Sequence, residues 1–227
     1  MDETGLSFGV AADAYDRGRP EWPEQLLDSL PLGPEAEVLD LAAGTGKLTR
    51  LLARRFARVV AVEPDEAMRA LIHVGEPLAG RAEAIPLVDG AVDAVFVAEA
   101  FHWFDYERAL AEIRRVLRPG GGLAVLARGW GEIPPPLKAD LDEVWARYHP
   151  AQRSFPDWRD HVRPQGPEQF VDTLPISGRD LVDLWLTGST PASIPEDERR
   201  AIAARAYPAL EGSHELELTT EVYWTTP

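Results

Sequence analysis

Two carboxylates, a pair of glycines and one histidine are the residues of this sequence best placed to do chemistry. Asp40 lies in the apolar run Val38-Leu39-Asp40-Leu41, Gly44 and Gly46 follow closely, and Glu63 ends a second run, Val59-Val60-Ala61-Val62. Carboxylates accept hydrogen bonds from hydroxyls and amines and attract cations. Glycines let a ligand approach the main chain and adopt backbone angles closed to other residues. Further on, Glu99-Ala100-Phe101-His102-Trp103-Phe104 follows a third apolar run. An aromatic cluster can wall off water and stabilise a cation through its ring faces. His102 has a side chain that titrates near neutrality and is the candidate general base.

These residues need particular elements to hold them. Val38, Leu39 and Leu41 suit a strand covered on both faces, as in a parallel sheet. Leu48, Leu51 and Leu52 recur at helical spacing. Strand, glycine turn, helix is the unit with which an open α/β sheet builds a ligand crevice at the carboxyl ends of its strands. Three ligand classes use such a turn. A phosphate loop needs G-x-x-x-x-G-K-[ST], but Leu41 stands at its first glycine and Leu48 follows Lys47. A dinucleotide turn needs a third glycine, where this chain has Thr49. A ligand without phosphate, S-adenosylmethionine, asks instead for an acid at the first strand, a small-residue turn and a second acid after the second strand. Asp40 and Glu63 satisfy that, at close to the roughly 20-residue separation of a βαβ unit.

Four blocks, Val38 to Thr49, Val59 to Pro64, Ala91 to Asp105 and Val116 to Gly122, resemble the class I S-adenosylmethionine-dependent methyltransferases. The similarity is to small-molecule enzymes of the methyltransferase type 11 group, related to ubiquinone-biosynthesis and trans-aconitate enzymes. It covers the first half well and the second half only in general pattern. The resemblance implies a Rossmann-like α/β fold: a doubly wound, seven-stranded, mostly parallel sheet with an antiparallel last strand and a helical lid insertion. It implies one domain over 1–227, with a cofactor cap (1–35), a cofactor-binding half (36–127), a substrate lid (128–167) and C-terminal strands and helices (168–227).

The resemblance also carries roles to matching positions. Asp40, Ala42, Gly44 and Gly46 would form the cofactor turn, and Glu63 with Pro64 would meet the ribose. Met68, Glu83 and Ala84 would border the adenine, with Glu99 and Ala100 at the rim after the fourth strand. The leader pattern Tyr15-x-x-x-Arg19-Pro20 would bring Tyr15 and Arg19 to the cofactor's methionine end, Arg19 through a charge-assisted hydrogen bond. Phe101, Trp103, Trp130, Trp145 and Trp158 would contact the substrate. Each has a plainer reading beside it: Tyr15 packs, Arg19 pairs on the surface, Met68 fills core, Glu83 is a loop charge, and the lid aromatics form a satellite core under a long loop. His102 is equally suited to a structural role. The family often has glycine where Ala42 stands, and alanine is expected to fit there with a negative φ.

Composition excludes other classes. With 38 Asp plus Glu against 23 Lys plus Arg, a net charge of −15 opposes a nucleic-acid partner. The chain has no cysteine, hence neither disulfides nor a thiolate metal site. His149 and His161 have no third ligand at metal spacing, so no metal is expected. No apolar run has the length of a membrane span, and the acidic, polar start lacks signal-peptide character; a cytoplasmic monomer or homodimer is the expectation. The expected reaction is methyl transfer from S-adenosylmethionine to an O, N or C atom of a small molecule, with S-adenosylhomocysteine as product. The alternative is a homologue that binds the cofactor without transferring methyl, as a partner subunit or in another cofactor-assisted reaction.

Overall fold

A computed structural model describes residues 12, 16, 18–148, 157–186 and 194–227. Seven strands form one sheet: β1 Glu37–Leu41, β2 Arg58–Val62, β3 Glu76–Leu78, β4 Val92–Ala98, β5 Leu117–Trp130, β6 Gln165–Ser177 and β7 Ser213–Thr225. Their order is β3-β2-β1-β4-β5-β7-β6. β1 to β5 pair in parallel, whereas β7 runs antiparallel to both β5 and β6, between them. The expected architecture is therefore present, antiparallel last strand included.

Alternation along the central strands divides the core into two layers. Ala94 and Phe96 of β4 face one side, with Leu26, Leu27, Leu48, Leu51 and Leu52 packed over them. Val95 and Val97 face the other, with Leu110, Ile113 and Val116 from the helix Tyr106–Val116. That helix begins at Asp105, whose side chain caps it by accepting the Arg108 amide at 3.2 Å. Asp65 caps Glu66–Arg69 in the same way, accepting Met68 N at 2.9 Å.

Glu24–Ser29 forms a short 3-10 turn; prolines 23 and 31 leave only seven residues between them for a longer element. The third strand ends at Leu78, and residues 81–84 form a tight turn closed by Ala84 N to Arg81 O at 3.1 Å. The helix Pro135–Tyr148 packs with Gly178–Leu186 and Glu196–Ala209 around Leu137, Leu141, Val182, Ile202 and Ala206. The insertion thus shares a satellite core with helices well beyond residue 167. Among the described residues no helix is long and apolar enough to cross a membrane.

Candidate active site

At the carboxyl ends of β1 and β4, where the strand order reverses, an open cleft of about 540 Å³ is lined by Asp40, Ala42, Gly44, Glu99, Arg128 and Trp130, among others. A switch point of this kind is where open α/β sheets bind ligands. The turn after β1 is tightly specified. Ala43 N donates to Val62 O at 3.1 Å, Gly44 N to Glu63 Oε2 at 2.8 Å and Gly46 N to Ala43 O at 2.9 Å. Gly44 and Gly46 have φ of 59° and 81°. A Cβ added to Gly44 would meet nothing within 4 Å, so the glycine leaves room on the cleft side. Gly46 opens the helix Lys47–Leu52 as its N-cap.

Ala42 departs from expectation: its φ is +59°, not negative. An L residue in this left-handed region carries a steric cost of roughly 1–2 kcal/mol. The backbone bonds on either side impose the conformation. Glu99, across the cleft at the end of β4, is also left-handed, with φ of 56°. Two non-glycine residues thus carry backbone strain at one crevice, a feature that accumulates at functional sites.

Three carboxyls surround the turn. Asp40 is 1% exposed and accepts Thr49 Oγ1 at 2.6 Å. Burial raises its pKa to about 7, opposed by that hydroxyl and reinforced by the charge of Glu63. Glu63 is held at both oxygens, accepting Gly44 N at Oε2 and Asp65 N at Oε1, 2.8 and 2.9 Å. Burial pushes its pKa up against those two amides. Glu99 accepts Arg128 N at 2.7 Å; burial raises its pKa, while the Arg128 amide, the charges of Arg19 and Arg128 and the Trp130 indole oppose the rise. Asp40 and Glu99 line the cleft, with Glu63 bracing its turn from the end of β2; carboxyls perturbed by burial in a crevice mark a candidate functional site.

The remaining predicted residues fall into groups. Arg19 and Trp130 come together at the cleft, with the guanidinium 4.6 Å from the ring centroid. Met68 is buried after Glu63, and Pro64 and Ala100 are half-buried at the same strand ends. Glu83 accepts the Asp105 amide at 3.1 Å and Ala84 is exposed beside it. Phe101 and Trp158 are not brought to the cleft. At 2% and 9% exposed they pack on one another, ring centroids 5.6 Å apart, within the core that includes Phe104 and Tyr223. Trp103 and His102 are half-buried neighbours, ring centroids 4.8 Å apart, and burial lowers the His102 pKa. Tyr15 and the side chain of Trp145 lie outside the described residues. Sequence reasoning missed Trp22, Lys47 and Arg128 as cleft residues. Arg128 carried a signal, since it follows the apolar part of β5 and so stands at the same sheet rim as Glu99.

A family described as a methyltransferase domain matches residues 39–125. The chain is 42% identical to an uncharacterized methyltransferase of Mycobacterium tuberculosis, with 72% of this chain and 74% of that protein aligned. It belongs to the class I S-adenosylmethionine-dependent methyltransferases. This methyltransferase is also 40% identical to a malonyl-[acyl-carrier protein] O-methyltransferase of Methylococcus capsulatus, over 62% of this chain and 55% of that one. The fold matches a protein of Anaeromyxobacter dehalogenans provisionally assigned to the type II methyltransferases, with a TM-score of 0.65, 23% identity and coverage of 91% and 97%. In the methyltransferase described here, the residues of the turn suit such a cofactor. S-adenosylmethionine lacks phosphate, and the amides of Ala43, Gly44 and Gly46 are already bonded within the protein.

Proposed function

We propose that this methyltransferase acts on a small-molecule acceptor, with the cleft beneath Gly44 and Glu99 as its cofactor site. The observation that carries the reading is a turn whose amides are bonded within the protein, braced by the acceptor Glu63. The amides of Ala43, Gly44 and Gly46 are not open to a pyrophosphate. A ribose diol finds an acceptor in Glu63, whose two oxygens each keep a lone pair beyond their amide bond.

In this reading Glu63, with Pro64 beside it, orients the ribose, and the residues from Asp40 to Gly46 form the floor. Met68, Glu83 and Ala84 border the adenine. Glu99, Ala100 and Arg19 hold the amino-acid end, Arg19 by pairing with a carboxylate. When bound, S-adenosylmethionine supplies a methyl already activated by positive charge. The protein is left to align the acceptor and keep water out. Trp130 lines the cleft where an acceptor would lie, and Trp103, from the segment after β4, is assigned to the same acceptor. Where the acceptor must lose a proton, His102 takes it; burial keeps its imidazole neutral, the form that accepts. The charge of −15 supports a small acceptor over a nucleic acid, and a cytoplasmic setting accords with a chain free of cysteine.

Calorimetric titration with S-adenosylmethionine, S-adenosylhomocysteine and NAD in parallel tests the cofactor site. Micromolar binding of the two sulfur ligands without heat from NAD is the expected result. Binding of NAD alone would overturn it. An acceptor screen read by S-adenosylhomocysteine release then tests the substrate class.

A further inference from the structure

Residues 18–23 run past the mouth of the cleft, and Arg19 and Trp22 from this strap form part of its lining. Most of what ties the strap down is exposed charge. Lys47 Nζ and Arg50 donate to Glu21 at 2.8 and 3.2 Å, with the Glu21 side chain 61% exposed. Pairs of that kind contribute little. Arg128, at the far end of β5, makes a different attachment. Its two terminal nitrogens donate to consecutive backbone carbonyls, Pro20 O at 2.8 Å and Glu21 O at 2.7 Å. Its guanidinium lies 3.9 Å from the centroid of Trp22 and 5.8 Å from that of Trp130. Arg19 caps the other end of the row, 4.6 Å from Trp130. The main-chain amide of Arg128 meanwhile holds Glu99 Oε1.

One residue therefore joins the strap, the rim acid and the aromatic wall. A lysine ammonium lacks the planar fork that meets two successive carbonyls while stacking on an indole. We propose that Arg128 is a positioning residue that latches the 18–23 strap across the cleft, so that Arg19 and Trp22 are in place before the cofactor binds. Both terminal nitrogens of Arg128 bind the strap. The affinity arm of this inference rests on the cofactor reading above; its structural arm does not.

Two measurements on the full chain test it: hydrogen exchange at the Arg19, Glu21 and Trp22 amides without ligand, and calorimetry with S-adenosylhomocysteine. The variants are Arg128→Ala, Arg128→Lys and, as a control at an exposed ion pair, Arg54→Ala. Arg128→Ala is expected to speed exchange at the strap tenfold or more and to weaken binding tenfold or more, with β4 amides protected as in the wild type. Arg128→Lys should recover part of both losses, and Arg54→Ala should change neither. Wild-type exchange at the strap of Arg128→Ala would overturn the latch. Should binding weaken with the strap still protected, Arg128 touches the ligand directly and the positioning role is also overturned. If Arg128→Ala does not fold, Arg128→Lys carries the test, with faster strap exchange and protected β4 as the expected result. Should the wild type fail to bind S-adenosylhomocysteine, the cofactor reading falls, while strap exchange still decides the latch.

Discussion

The Glu63 carboxylate accepts the Gly44 amide at 2.8 Å across the tops of two neighbouring strands. The acid after β2 and the glycine turn after β1 are consequently one unit. Its second oxygen takes the Asp65 amide at 2.9 Å, so the side chain is fixed before any ligand arrives. Preorganisation of this kind reduces the ordering cost of binding.

Replacing Glu63 with Ala removes both the ribose acceptor and the brace for the turn. S-adenosylhomocysteine affinity is expected to fall about 30-fold or more, roughly 2 kcal/mol at 1.4 kcal/mol per tenfold. Replacing His102 with Ala should change it less than about threefold. Calorimetry on the two variants checks this, and equal affinities would remove the roles assigned to both residues.

Ala42 at φ +59° is a site where glycine should be tolerated or better. Relief of a cost of roughly 1–2 kcal/mol is offset by about 0.5–1 kcal/mol of added chain entropy, so Ala42→Gly is expected to leave stability unchanged or raise it by up to about 1.5 kcal/mol. Ala42→Val, a branched residue in the same conformation, should lose stability. Urea unfolding of the pair checks the sign, and a stabilising valine would contradict the backbone geometry.

Asp40 gives the protein a pH-dependent stability. Its folded pKa is raised to about 7 from 3.8 by burial. Between these values the folded state holds a proton that the unfolded state has lost. Stability from this group is therefore present below about pH 4 and is lost as pH rises toward 7. At about 1.4 kcal/mol per unit the effect is bounded near 4 kcal/mol. Asp40→Asn cannot titrate and should show a flatter stability profile across that window. Denaturant midpoints measured from pH 4.5 to 7.5 check it; parallel profiles would show that Asp40 is not the group.

Leu141 is fully buried among Leu137, Val182 and Ile202, far along the chain from the glycine turn. Leu141→Ala should cost about 2–5 kcal/mol through lost packing and the cavity left behind. S-adenosylhomocysteine affinity should remain within about threefold, since the cleft draws on β1, β4 and β5. A large loss of affinity in folded protein would mean that the helical layer supports the cleft directly.

Much of the molecule was legible in order of residues alone. Val38 to Leu41 and Val92 to Ala98 are apolar runs too continuous for one-sided strands, which fixed a buried parallel sheet. Asp40, the glycines and Glu63 recur at the spacing of one βαβ unit, which located the crevice. What needed the tertiary structure was everything set by partners distant in sequence. The positive φ of Ala42 sits beside the bond from the Ala43 amide to Val62 on the neighbouring strand. Phe101 and Trp158 read as cleft aromatics, yet they pack on each other, and Tyr223 of β7 meets Trp158 edge-on. Arg128 meets Pro20 and Glu21 over more than a hundred residues. No local propensity encodes that contact; it exists because β5 ends where the leader crosses the sheet.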